Sequence, residues 1–115
     1  MSKRRRHRVG YGPGNPEFVG IERRTINNSP EWDALKPAAK IFYIHLKARY
    51  NGSNNGKIKL PYSAMRGVAG CGSDRAISGA IRELEAKEWI RISRRGGLYR
   101  HDNFFTLTFK HDGFK

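Results

Sequence analysis

The chain has 115 residues, with 23 lysines and arginines against 10 acidic residues, a formal net charge of +13 and a pI near 10.5. That length supports one domain and one core, and that charge makes nucleic acid the leading partner without separating DNA from RNA. The single cysteine, Cys71, and the scattered His7, His45, His101 and His111 exclude an internal disulfide framework and a zinc site, and no run of about 18 apolar residues offers a membrane span.

Residues 1–16 stand apart by composition. Lys3, Arg4, Arg5, Arg6 and Arg8 are followed by Gly10, Gly12, Pro13 and Gly14, so like-charge repulsion meets a backbone that resists ordering. The expectation is a disordered basic arm, either a solvated tail or one that follows phosphates or enters a minor groove. This basic start leads into Gly-Tyr-Gly-Pro-Gly-Asn-Pro rather than an apolar segment, so no secretory signal is read. A soluble, cytoplasmic, nucleoid-associated protein is expected, with residues 17–115 as its folded domain.

From Glu17 to Asn28, the apolar Phe18, Val19, Ile21 and Ile26 lack helical spacing, which predicts an extended segment laid over the domain. Ser29-Pro30 is a helix start: a hydroxyl cap, then proline at the first helical position, with Glu31 and Asp33 where the dipole favours them. Trp32 and Leu35 anchor this short turn. Pro37 restarts the helix, which is expected to run to about Tyr50 and to stop at Asn51-Gly52. One of its faces carries Ala39, Phe42, Tyr43, Leu46 and Tyr50, and nearly opposite stand Ile41, Ile44 and Ala48. A helix apolar on two sides is buried on two sides. The second face is therefore covered either by Phe18, Val19 and Ile21 or by another molecule, in a homodimer or with a protein partner.

Asn51–Gly56 supplies two Asn-Gly turns, and Lys57–Leu60 alternates as a short strand. A helix is predicted over 62–69, with Ala64, Met65, Val68 and Ala69 for the core, then a turn at Gly70-Cys71-Gly72. Ser73 caps the next helix, 74–87, with Asp74 at its positive end. Here Ile77, Ala80, Ile81 and Leu84 recur at i, i+3, i+4, i+7, while Arg75, Ser78, Gly79 and Arg82 turn outward. Ile90 and Ile92, then Phe105, Leu107 and Phe109, alternate with polar residues as an antiparallel hairpin. Its tip joins Arg94, Arg95, Gly96 and Gly97 to Tyr99, Arg100 and His101, and is either a solvated loop or a grip on a phosphate or minor groove.

A short helix, a turn, an amphipathic helix and a basic hairpin, in that order over residues 60–97, resemble the winged helix-turn-helix DNA-binding proteins. The similarity covers roughly Ser29 to Phe109. The stretch from Ser29 to Leu60 is more narrowly similar to small winged-helix proteins of bacterial prophages, plasmids and mobile elements. The resemblance implies an α+β fold of about three helices and a two- to three-stranded antiparallel wing, with residues 74–87 as the recognition helix. It also places Ser73, Arg75, Ser78, Gly79 and Arg82 on the groove-facing surface and Arg94, Arg95 and Arg100 on the wing. One departure stands out. These proteins usually have a glycine where the recognition helix ends, whereas Lys87-Glu88-Trp89 has none, and a non-glycine residue in a left-handed cap costs about 1 kcal/mol. Gly79 inside a helix costs about as much relative to alanine, and is either tolerated on the surface or required by close approach of a phosphate backbone or partner helix.

Other chemistries find little support. Gly10, Gly12 and Gly14 precede neither a Lys-Ser pair nor a helix, and no Ser-His-acid set, carboxylate pair or HExxH is present. His45 and His101 are read as packing or surface residues and Cys71 as a small packed one. No enzyme, cofactor, metal or small-molecule substrate is expected. The sequence thus predicts a sequence-selective double-stranded DNA-binding protein, a transcriptional regulator acting by occupancy. One alternative is a replication or partition factor that uses Ile41, Ile44 and Ala48 as a homodimer or partner surface. The other is an RNA-binding or ribosome-associated protein, for which only Tyr99, Phe104 and Tyr11 are available to stack bases.

Overall fold

Side-chain caps at Ser29 and Ser73 start two of the helices, and alternation sets the two longer strands. The computed structural model describes residues 18–94 and 103–115, which form five helices and one three-stranded antiparallel sheet, an α+β architecture. The arm residues Lys3, Arg4, Arg5, Arg6 and Arg8, and the hairpin-tip residues Arg95 and Arg100, lie outside the described residues, as does the side chain of Arg94.

The first helix, α1 (Arg23–Asn28), replaces part of the extended segment expected there. Long-range contacts hold it. Thr25 is buried and its hydroxyl donates to the His111 carbonyl at 3.1 Å, while the Glu22 amide donates to Asp112 Oδ1 at 3.0 Å and the Gly113 amide to Glu22 Oε1 at 2.8 Å. Next, α2 (Pro30–Asp33) begins as its sequence dictates, with Ser29 Oγ accepting the Trp32 amide at 3.3 Å. Trp32 and Leu35 are both buried. Helix α3 (Pro37–Ala48) ends slightly before the expected Tyr50, whose ring packs on Phe109 with centroids 5.6 Å apart.

After β1 (Ile58–Lys59), α4 (Tyr62–Met65) stops four residues short of the predicted 69. Arg66 is already extended with ψ 132°, and Gly67 and Gly70 both take φ +86°, so the turn spans 66–73 rather than 70–72. Gly72 is sterically required: a Cβ there would lie 2.9 Å from the Gly67 nitrogen and the Val68 oxygen. Cys71, fully buried between them, is a packed thiol whose pKa burial pushes up.

Helix α5 (Asp74–Ala86) starts at Ser73, whose Oγ accepts the Ala76 amide at 3.1 Å. Its end keeps the left-handed geometry without glycine. Glu88 has φ +66°, the Trp89 amide donates to the Leu84 carbonyl at 2.9 Å and the Glu88 amide to the Glu85 carbonyl at 3.1 Å, which together make a Schellman cap. The strain on Glu88 is offset locally: Thr108 Oγ1 donates to the Glu88 carbonyl at 2.7 Å, and Lys110 pairs with the Glu88 carboxylate.

The sheet has the order β1-β3-β2, with β2 (Ile90–Arg94) and β3 (Phe104–Leu107) joined to the two residues of β1. Ile58 pairs with Phe105, and Phe105 with Ile92, and a bulge falls between Ile92 and Arg94. Phe109, expected to continue the strand, instead turns out of it with φ +56°. The core lies between α3, α5 and the inner face of the sheet, where Phe42, Leu46, Ile77, Leu84, Ile90 and Phe105 are fully buried. Each large aliphatic side chain contributed by α5 is worth about 1.5–3 kcal/mol.

The second face of α3 is only partly covered. Ile41 packs against the core beside Gly70, but Ile44 is 39 % exposed and Ala48 is exposed as well. Phe18 and Val19 do not cover that face. They remain largely exposed and line a surface depression with Ile21 and Phe114. Below α3 the core holds a charged cluster: Lys47 Nζ donates to Asp112 Oδ2 at 2.7 Å and to the Phe114 carbonyl at 2.8 Å, and the Tyr43 hydroxyl donates to the same Oδ2 at 2.6 Å. Burial lowers the Lys47 pKa against the pull of Asp112, and burial beside Asp112 raises that of Tyr43.

Candidate nucleic-acid interface

Helix α5 has two unlike faces. Ile77, Ala80, Ile81 and Leu84 are buried, whereas Arg75 and Arg82 are exposed and flank the partly exposed Ser78 and Gly79. Positions 75, 79, 82 and 86 follow i, i+4, i+3, i+4 spacing, so the two arginines stand two turns apart with Gly79 between them. No guanidinium hydrogen bond or ion pair engages either arginine among the described residues. Gly79 leaves a gap. A Cβ built there meets nothing within 4 Å, so nothing inside the molecule requires a glycine.

The hydroxyls at this site are partly committed. Ser73 accepts the Ala76 amide, and the Ser78 hydroxyl donates to the Arg75 carbonyl at 3.3 Å, which leaves the Ser78 oxygen free to accept. Asp74, the acidic residue closest to Arg75 in sequence, is bound by Arg66, whose Nε lies 3.2 Å from Oδ1. The acid at the other end of the face is Glu83. Burial opposes its ionisation, but hydrogen bonds from Lys87 Nζ at 3.0 Å and the Lys36 amide at 3.1 Å hold its pKa below the usual carboxylate range. Lys87 Nζ also donates to the Ala34 carbonyl at 3.1 Å, which ties the end of α5 to the α2–α3 connection.

An open groove of about 830 Å³ follows from this packing. Its floor is Ala38, Ala76, Gly79 and Ala80, and its rim carries Lys36, Arg75, Arg82 and Lys87. Four cations around small side chains, of which Lys87 is spent on the Glu83 carboxylate, leave an excess of three positive charges, a surface that attracts anions and lets a backbone come close. Of the predicted residues, Ser73 at the helix cap, Arg75, Gly79 and Arg82 line this groove, and Ser78 stands beside Gly79 on α5 outside the lining. Sequence reasoning missed Lys36, whose link to α5 runs through Glu83, 47 residues away, and Lys87, which pairs with Glu83 one turn earlier on the same helix. It also missed Arg66, which sits outside the helix expected to contain it.

Among the described residues no group of three or more His, Cys, Asp or Glu side chains is placed to hold a metal ion, and no helix is long and apolar enough to cross a membrane. Comparison with protein-family models, with curated proteins and with solved structures gives no match.

Proposed function

We propose that this chain is a sequence-selective double-stranded DNA-binding protein of the winged helix-turn-helix type that regulates transcription by occupying its site. The observation that carries this reading is the outward face of α5, where Arg75 and Arg82 stand without an ion-pair partner among the described residues on either side of a glycine with open space above it. A major groove admits one helix, and an arginine free of internal partners is available for the O6 and N7 atoms of guanine. The element order α3-β1-α4-α5-β2-β3, with β3 central in the sheet, supports the same assignment. The hairpin tip and basic arm then serve as grips on flanking phosphates.

A replication or partition factor of a mobile element is the second reading, favoured by the exposed Ile44 and Ala48 on α3, which leave room for a partner. Competition of a labelled random duplex by unlabelled duplex and by structured RNA tests the main reading. Duplex is expected to compete better, and stronger competition by RNA contradicts it. Replacing Arg75 or Arg82 by alanine is expected to cost about 1–3 kcal/mol on the selected site and much less on random duplex. Equal losses on both would demote that arginine to a phosphate-binding role.

A further inference from the structure

The basic residues of the described chain divide into two groups. Arg24, Lys47, Arg66, Lys87 and Lys110 each hold a carboxylate. Lys57, Lys59 and Arg91 belong to the larger group that holds none among the described residues, as Arg75 and Arg82 do, and all three are exposed. The strand pairing places them on one surface. Side chains alternate along a strand, and Ile58, Leu60, Ile90, Phe105 and Leu107 are buried, so Lys57, Lys59, Arg91, Phe104 and Thr106 belong to the outer face. Across the sheet Lys59 is opposite Phe104, and Arg91 is opposite Thr106.

The cations therefore form two edge columns, Lys57 and Lys59 on the β1 side and Arg91 on β2, about 10 Å apart across the central strand. Phe104 lies in that central strand, half-buried, with the Lys59 ammonium 5.4 Å from its ring centroid. The carboxylate that Arg91 influences is Glu88, just before β2, and Lys110 already holds it. The sheet's inner face packs against the helices, so this surface is separate from the outward face of α5.

We propose that the outer face of the sheet binds a single-stranded nucleic acid, with Lys57, Lys59 and Arg91 on its phosphates and Phe104 against an unpaired base or sugar. Charge complementarity selects a polyanion, and the shape of the surface selects the strand type. The Ser93 hydroxyl of β2 reaches the Gly56 carbonyl at 2.6 Å across part of this face, and the remainder, a flat surface with an aromatic ring, has nothing to insert into a groove, whereas a duplex keeps its base faces stacked out of reach. A chain that reads duplex through α5 and holds an unpaired strand on its sheet engages both states of DNA at once. The inference stands apart from the duplex-reading proposal and does not depend on it.

The test uses fluorescence anisotropy with labelled oligothymidine of about 12 nucleotides, within the span that one such surface covers. The K57A/K59A/R91A triple variant changes only exposed side chains, and its folding is checked by the near-ultraviolet circular dichroism of the buried Trp32 and Trp89. It is expected to lose at least about tenfold in oligothymidine affinity and to flatten the salt dependence by roughly 0.7 for each phosphate no longer neutralised, with duplex binding unchanged within about twofold. Phe104→Leu is expected to weaken the oligonucleotide about tenfold while the salt slope stays put. The R75A/R82A double variant should show the reverse pattern, weakening the selected duplex site and keeping oligothymidine. Oligouridine held at wild-type strength and lost in the same triple variant supports the site equally and identifies RNA as the strand. Oligothymidine binding that survives the triple variant, or that falls equally in the triple and double variants, overturns the proposal.

Discussion

Gly79 occupies the middle of α5, where glycine costs about 1 kcal/mol relative to alanine because its backbone loses more freedom on folding. A methyl group at this position meets no atom within 4 Å, so Gly79→Ala carries no steric penalty inside the molecule. The variant is therefore expected to gain about 0.5–1 kcal/mol of stability. For a domain of this size that raises the melting temperature by several degrees, at about 4–8 °C per kcal/mol. Binding should move the other way. If the groove face of α5 meets DNA as closely as a bare glycine allows, the added methyl pushes the DNA away and weakens the selected duplex by about tenfold, equivalent to about 1.4 kcal/mol. Thermal unfolding followed by far-ultraviolet circular dichroism and duplex titration on the same preparation read both effects. A variant that melts higher and binds equally well would refute the close approach at Gly79, and one that melts lower would refute the helix geometry described around it.

Asp112→Ala leaves the Lys47 ammonium and the Tyr43 hydroxyl buried without their acceptor, and should cost about 3–5 kcal/mol in urea unfolding; a loss below about 1 kcal/mol would contradict the clasp. The carboxyl groups of Glu31, Glu83 and Glu88 have folded-state pKa values below their ordinary 4.5, so their contribution to stability is present above about pH 4.5 and is lost as pH falls below it. Glu88→Gln should therefore flatten the acid limb of the stability curve, and a limb parallel to wild type would contradict the role given to the Lys110 pair. Removing residues 2–8, which include Lys3, Arg4, Arg5, Arg6 and Arg8, should weaken all duplexes alike and reduce the salt slope by roughly 0.9 for each phosphate the arm neutralises. An unchanged slope would show an idle arm.

What was legible in the sequence was what is local. The caps at Ser29 and Ser73, the i, i+3, i+4, i+7 stripe of Ile77, Ala80, Ile81 and Leu84, and the alternation of Ile90, Ile92, Phe105 and Leu107 each depend on neighbours within a turn or a strand. Helix α1 was not legible, because Glu22 and Thr25 are held by residues 86 to 91 positions away. Lys47 reads as a solvated helix lysine until Asp112, 65 residues on, is brought beneath it. The early end of α4 follows from an extended Arg66 before a left-handed Gly67, a pair that helix periodicity does not register. At Glu88 the expectation of altered geometry without glycine gave way to an ordinary left-handed cap, since Thr108 and Lys110 return from the far end of β3 to hold it. For the candidate site, the outward residues of α5 were legible from the stripe alone. The rim residue Lys36 required knowing how α3 and α5 cross, whereas the Lys87–Glu83 pair is local, at i, i+4.

Selection from a random duplex library, followed by sequencing of the retained fragments, tests duplex reading by α5 most directly. Wild-type protein is expected to enrich one short motif, and the R75A/R82A variant to lose base preference at positions within it while still retaining DNA. Wild-type protein that enriches no motif, or a double variant that enriches the same motif unchanged, would contradict the assignment of α5 as the reading helix.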